Sequence, residues 1–191
     1  MGLTGGLGAG KSTALQALDS LGAAVLSTDA VVHDLYGSPG VRDAVAARWG
    51  EQMVRDGQVD RSAVAERVFG SRDDREWLES TLWPLVGERV ALWREQVQAQ
   101  RPPPRVAVVE VPLLFEAGMD KAFDATIAVV ADEPVRAERA GGRGHAAVDE
   151  RAARQLSQSE KSQRATYTVN NDGTPEELRA QLSAIIDRLG S

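Results

Sequence analysis

Eight consecutive residues, Gly5-Gly6-Leu7-Gly8-Ala9-Gly10-Lys11-Ser12, fit the pattern G-x-x-x-x-G-K-[ST]. That pattern works only where a strand runs into a tight turn and a helix leaves it, so it commits the chain to an α/β fold with a parallel sheet. Met1 to Thr4 reads as the tail of the strand, though it is short for one. Ala14, Leu15, Leu18 and Leu21 recur at helical spacing, and Gly22 stands where a helix C-terminal glycine belongs. The glycines let the backbone wind round an anion with its N–H groups turned inward, and the helix aims its positive end at the same point. Lys11 suits the β- and γ-phosphates of a nucleoside triphosphate, and the Ser12 hydroxyl suits Mg²⁺. The plainer alternative is a glycine-rich turn that only caps a helix. The dinucleotide pattern G-x-G-x-x-G is not met, because Gly6 and Gly8 are followed by Lys11.

Further along, Ala23–Ser27, Val106–Val111, Ala125–Ala131 and Tyr167–Asn170 read as strands, the middle two as nearly continuous apolar runs of the kind buried on both faces. Between about His33 and Gln100 the pattern is helical throughout. Its signals are Ser38-Pro39, the cap Asp60, a further helix from Ser71, and an apolar face resuming after Pro84 at Val86, Val90, Trp93 and Val97. Thr174-Pro175-Glu176-Glu177 is a capping box that opens the last helix. The expected architecture is therefore a three-layer P-loop NTPase fold with a central parallel sheet. Residues 1–32, 101–135 and 163–191 form the core, 33–100 a helical insert, and 136–162 a basic, glycine-interrupted lid.

With 191 residues the chain fits one such domain plus a small insert. A net charge of -6 argues against broad nucleic-acid binding. No cysteine is present, which excludes disulfides and thiolate metal sites. No apolar stretch approaches the roughly 20 residues of a membrane span, and the start is not a signal peptide. A cytoplasmic protein acting on a small molecule, as a monomer or weak homo-oligomer, is expected.

The same phosphate cradle serves switches and kinases. A GTPase would need a guanine-reading N-K-x-D, and none occurs. A small-molecule kinase needs an acceptor subdomain, a carboxylate near the γ-phosphate and arginines to neutralise transition-state charge. Asp29, just past the second strand, is the carboxylate. It could orient an acceptor hydroxyl, take its proton, or bind magnesium through water, and the alternative is an N-cap for a helix starting at Ala30. Glu110, closing an apolar run, is a second carboxylate for the metal's outer shell. Arg139 and Arg143 are spaced i,i+4 and on a helix share one face, which is either a phosphate-facing pair or a solvated basic surface. His33 and His145 suggest no metal site.

Taken together, the chain resembles dephospho-CoA kinases along essentially its whole length. The resemblance rests on Gly2-Leu3-Thr4 with the loop through Thr13, Thr28-Asp29, Asp56-Gly57, Asp60-Arg61 and Leu78-Glu79. It continues through Trp83-Pro84, Pro112-Leu113-Leu114-Phe115-Glu116, Arg139-x3-Arg143, Gln155 and Asn171. It implies ATP-dependent phosphorylation of the ribose 3′-hydroxyl of dephospho-CoA, with Asp29 as base and Lys11 and Arg139 stabilising the transferring phosphoryl. It further implies ATP binding by Gly8 to Thr13, adenine contacts near Asn171, and a CoA-binding role for 33–100. A nucleoside monophosphate kinase and a non-catalytic ATP-binding module share much of this plan. The chain departs from the family pattern at Ser27, where an aspartate is common, at Trp83 (histidine), at Thr166 (aspartate) and at Gly144 (an acidic residue).

Overall fold

The computed structural model describes residues 1–140 and 155–189. It separates into two units, Met1–Ser27 with Trp93–Ser191, and Thr28–Leu92.

In the first unit, β1 (Gly2–Gly5), β2 (Ala24–Ser27), β5 (Ala107–Glu110), β6 (Thr126–Val130) and β7 (Tyr167–Asn170) make one sheet in the order β2-β5-β1-β6-β7. Every neighbouring pair is parallel. β1 lies in the middle, flanked by β5 and β6, which is why those two strands are almost wholly apolar. Leu3 and Ile127 are paired in register and enter a buried cluster with Leu18 of α1 (Lys11–Ser20) and Leu182 of α8 (Pro175–Leu189). The helix α8 begins with the expected capping box. The Thr174 amide donates to the Glu177 carboxylate at 2.8 Å, and the Glu177 amide donates to the Thr174 hydroxyl at 3.2 Å. α6 (Glu133–Ala140) follows β6, and α7 (Gln158–Arg164) packs against β6 and β1. A second capping box, Ser157 with Glu160, starts α7.

The second unit holds α2 (Thr28–Leu35), α3 (Pro39–Trp49), β3 (Val54–Arg55), β4 (Gln58–Val59), α4 (Arg61–Phe69) and the start of α5 (Arg72–Ala99). An uninterrupted helical pattern was expected here, and β3–β4 corrects it. The two strands form an antiparallel hairpin turned at Asp56 and Gly57, with φ of 52° and 76°. Two successive positive φ values are what the type I′ form of a two-residue hairpin requires, and Asp-Gly is a favoured pair for them. α5 passes through Pro84 as one helix. Asp60 caps α4 as expected, accepting from the Ser62 and Ala63 amides at 3.1 Å each.

Asp74 ties these helices together. Its carboxylate accepts the Trp49 indole N–H at 3.0 Å and Arg67 Nε at 2.8 Å, and the Trp49 and Trp77 rings meet edge to face at 4.8 Å. The Trp49 N–H, with help from Arg67 and against the effect of burial, holds the Asp74 carboxyl below its ordinary range. A depressed carboxyl binds protons more weakly folded than unfolded, so its stabilisation is present above the unfolded value of 3.8 and lost as pH falls further. Trp49→Phe should therefore flatten the acid limb of the unfolding profile, read as thermal midpoint against pH. A slope equal to that of the parent chain would refute the assignment.

Candidate active site

The loop between β1 and α1 turns through Gly8 and Gly10, whose φ values of 74° and 89° lie in the left-handed region. Ala9 is buried and its amide donates to the Gly6 carbonyl at 3.2 Å, while the Ala14 amide donates to the Gly10 carbonyl at 3.0 Å. Lys11 Nζ reaches back over the loop and donates to the Gly5 and Gly6 carbonyls at 3.1 and 3.2 Å. Ser12 and Thr13 are exposed in the first turn of α1. A positive lysine end beside the N-terminus of a ten-residue helix favours an anion there.

Side chains from distant segments hold the loop in place. The Leu7 amide donates to Gln155 Oε1 at 3.1 Å, and Arg136 Nε donates to the Leu7 carbonyl at 2.9 Å. Buried Asn171 donates through Nδ2 to the Ala9 carbonyl at 2.9 Å, and Arg139 Nη1 donates to the Asn171 carbonyl at 3.0 Å. Arg139 and Asn171, both singled out in the sequence, thus stand beside the loop. Arg143 lies outside the described residues.

At the carboxyl end of β5, buried Glu110 accepts from the Ser27 hydroxyl at 2.6 Å, across a register that pairs Ser27 with Glu110. A hydroxyl donor therefore stands at Ser27, facing the Glu110 carboxylate. Glu110 is also in register with Leu3 of β1, on the sheet face that α1 covers. Asp29 belongs to the second unit and is exposed in the first turn of α2. Because α2 begins at Thr28 and not at Ala30, Asp29 lies inside the helix, and a carboxylate there complements the helix dipole.

Sequence reasoning did not single out Arg136, although it lies three residues before Arg139 and shares its helical face. It also passed over Lys161, which is fully buried. Lys161 Nζ contacts Glu116 Oε1 at 2.9 Å and donates to the Pro112 carbonyl at 2.9 Å and the Thr4 hydroxyl at 3.3 Å. Burial pushes the Lys161 ammonium pKa down, and the Glu116 carboxylate opposes that shift. No local pattern marked this lysine, because its partners lie 45 or more positions away in the chain.

The family model described as dephospho-CoA kinase matches residues 1–177. A dephospho-CoA kinase of Moorella thermoacetica is 38% identical over 190 residues, covering 96% of this chain and 89% of that protein. A crystal structure from Thermus thermophilus superposes with a TM-score of 0.77 at 32% identity, covering 100% of this chain and 97% of the other. The dephospho-CoA kinase of Campylobacter jejuni shares the fold, with a TM-score of 0.69 at 20% identity and coverage of 99% and 96%.

A methyl group at Gly10 would run into Asn171 Nδ2 while forcing alanine into a positive φ. Gly10→Ala should weaken equilibrium binding of ATP by about tenfold or more, since displacements of about an ångström in a binding site cost that much. The same clash and strain should lower the thermal midpoint, so affinity is read well below it, and unchanged ATP affinity in the folded variant would refute the assignment.

Proposed function

The chain belongs to the dephospho-CoA kinase family, and from that premise we propose that it transfers the γ-phosphoryl of ATP to the ribose 3′-hydroxyl of dephospho-CoA, giving coenzyme A and ADP. The observation that carries this reading is the extent of the family match, which runs through residues 1–177 and so takes in the helical unit as well as the loop. A phosphate loop alone would leave the acceptor open.

In this reading Gly6 and the segment Gly8–Thr13 hold the triphosphate by main-chain N–H groups. Lys11, swinging off the Gly5 and Gly6 carbonyls, and Arg139 neutralise charge on the moving phosphoryl. Arg143 is assigned to the same phosphates and Asn171 to the adenine side. The 3′-oxygen forms the new bond to the γ-phosphorus as the bond to the β–γ bridging oxygen breaks, and Asp29 takes the hydroxyl proton. The helical block 33–100 is the acceptor-binding part.

The Ser12 hydroxyl and the Glu110 carboxylate are oxygen donors of the kind Mg²⁺ takes, and these two residues would hold it. Among the described residues no group of three or more His, Asp or Glu gathers as a protein cage. That suits a cation that keeps several waters and leans on substrate phosphates. When bound, it would neutralise charge on the β- and γ-oxygens. Among the described residues no helix is long and apolar enough to cross a membrane, and a cytoplasmic setting remains part of this proposal.

An ADP-coupled assay should show turnover with dephospho-CoA and none with nucleoside monophosphates, and the reverse order would overturn the acceptor. Asp29→Asn should lower kcat by about 10²–10⁴, the usual contribution of a general base, with ATP affinity nearly intact. Loss of the folded state instead would assign Asp29 to the start of α2.

A further inference from the structure

Lys161 offers three N–H bonds and finds three acceptors: the Glu116 carboxylate, the Pro112 carbonyl and the Thr4 hydroxyl. Thr4 directs its own proton to the same Pro112 carbonyl at 3.2 Å, leaving its oxygen free to accept. Glu116 Oε1 also accepts the Leu156 amide at 2.8 Å. The preceding side chain, Gln155, accepts the Leu7 amide inside the nucleotide loop. Two routes therefore run from this buried pair to the loop. One passes through Thr4, which directly precedes Gly5, and the other through Leu156 and Gln155 to Leu7.

The second route has a chemical consequence. With its amide spent on Gln155 and its carbonyl on Arg136, the Leu7 residue is held at both ends. That places the next turn, Gly8 to Lys11, whose N–H groups are assigned to the phosphates. An apolar pair of the same volume would fill the space between Glu116 and Lys161. It would not accept the Leu156 amide.

We propose that Glu116 and Lys161 are positioning residues for the nucleotide loop, acting through Leu156 and Gln155 on Leu7, and that they set affinity for the triphosphate more than the rate of the chemical step. The proposal rests on the kinase reading for its ligand. Its test nonetheless reads ATP binding without any acceptor. A chain that binds ATP but does not phosphorylate dephospho-CoA would sink the function and leave this test intact.

The decisive comparison is between stability and affinity. Replacing both members of a buried ion pair by apolar residues is often neutral for stability, whereas removing one is not. The double variant Glu116→Leu/Lys161→Met should keep a thermal midpoint near that of the parent chain. Calorimetric Kd and kinetic KM for ATP–Mg²⁺ should rise about tenfold, with kcat changed by less than about threefold, as for a positioning effect. Gln155→Ala, which removes no buried charge, should raise Kd similarly without lowering the midpoint. Adding it to the double variant should change Kd little further, because both act on one path. Unchanged ATP affinity in the double variant, or affinity lost only in step with the midpoint, would overturn the proposal. Should the double variant fail to fold, Gln155→Ala decides alone, and parent-like affinity in it overturns the proposal.

Discussion

An ammonium group with no exposed surface constrains everything round it, and in this chain that group belongs to Lys161. Leaving such a charge without its counter-ion costs about 3–5 kcal/mol, so its partners have little freedom to move away. Those partners come from the end of β1 and from the segment after β5, while the lysine rides on α7. Three pieces far apart in sequence are locked at the point where β1 hands over to the phosphate loop. Thr4 takes part in this lock and Gly5 begins the loop, so the lock and the cradle share one stretch of backbone.

The parallel sheet explains why that point matters. With β1 between β5 and β6, the carboxyl ends of all three strands open on one edge, where doubly wound sheets bind ligands. From β1 that edge receives Lys11 and Ser12, and from β5 it receives Glu110. Asn171, Arg139 and Arg136 close in from the elements beyond β6. The site is built from the ends of elements whose cores are apolar and rigid. Its polar groups hold one another: Ser27 on Glu110, Asn171 on Ala9, Gln155 on Leu7.

The helical unit is organised differently. Its centre is one carboxylate, Asp74, held by an indole and a guanidinium under an edge-to-face tryptophan pair. The cap at Asp60 was legible because a cap is a local arrangement, whereas Ser38 stands at the N-cap position of α3 but turns its hydroxyl back to the Leu35 carbonyl at 2.6 Å. The β3–β4 hairpin was not legible, since its strands are two residues each and too short to show a period. Only the Asp56-Gly57 dipeptide marked it. The continuity of α5 through Pro84 was equally hidden, because a proline's effect depends on what surrounds the turn it interrupts.

The sequence by itself determined the loop, the strands that flank it, the capping box of α8 and the family. Each of these is written in residues that are neighbours or recur at a fixed short period. From Lys11 to Asn171, the residues it named for the nucleotide include several that the fold does assemble. Only the tertiary structure decided that Gln155 and Arg136 grip Leu7, that Ser27 donates to Glu110, and that Lys161 is sealed against Glu116. Those contacts join positions 45 to 148 residues apart. No window along the chain contains them, because what selects them is the need of buried polar groups for partners once the sheet has closed.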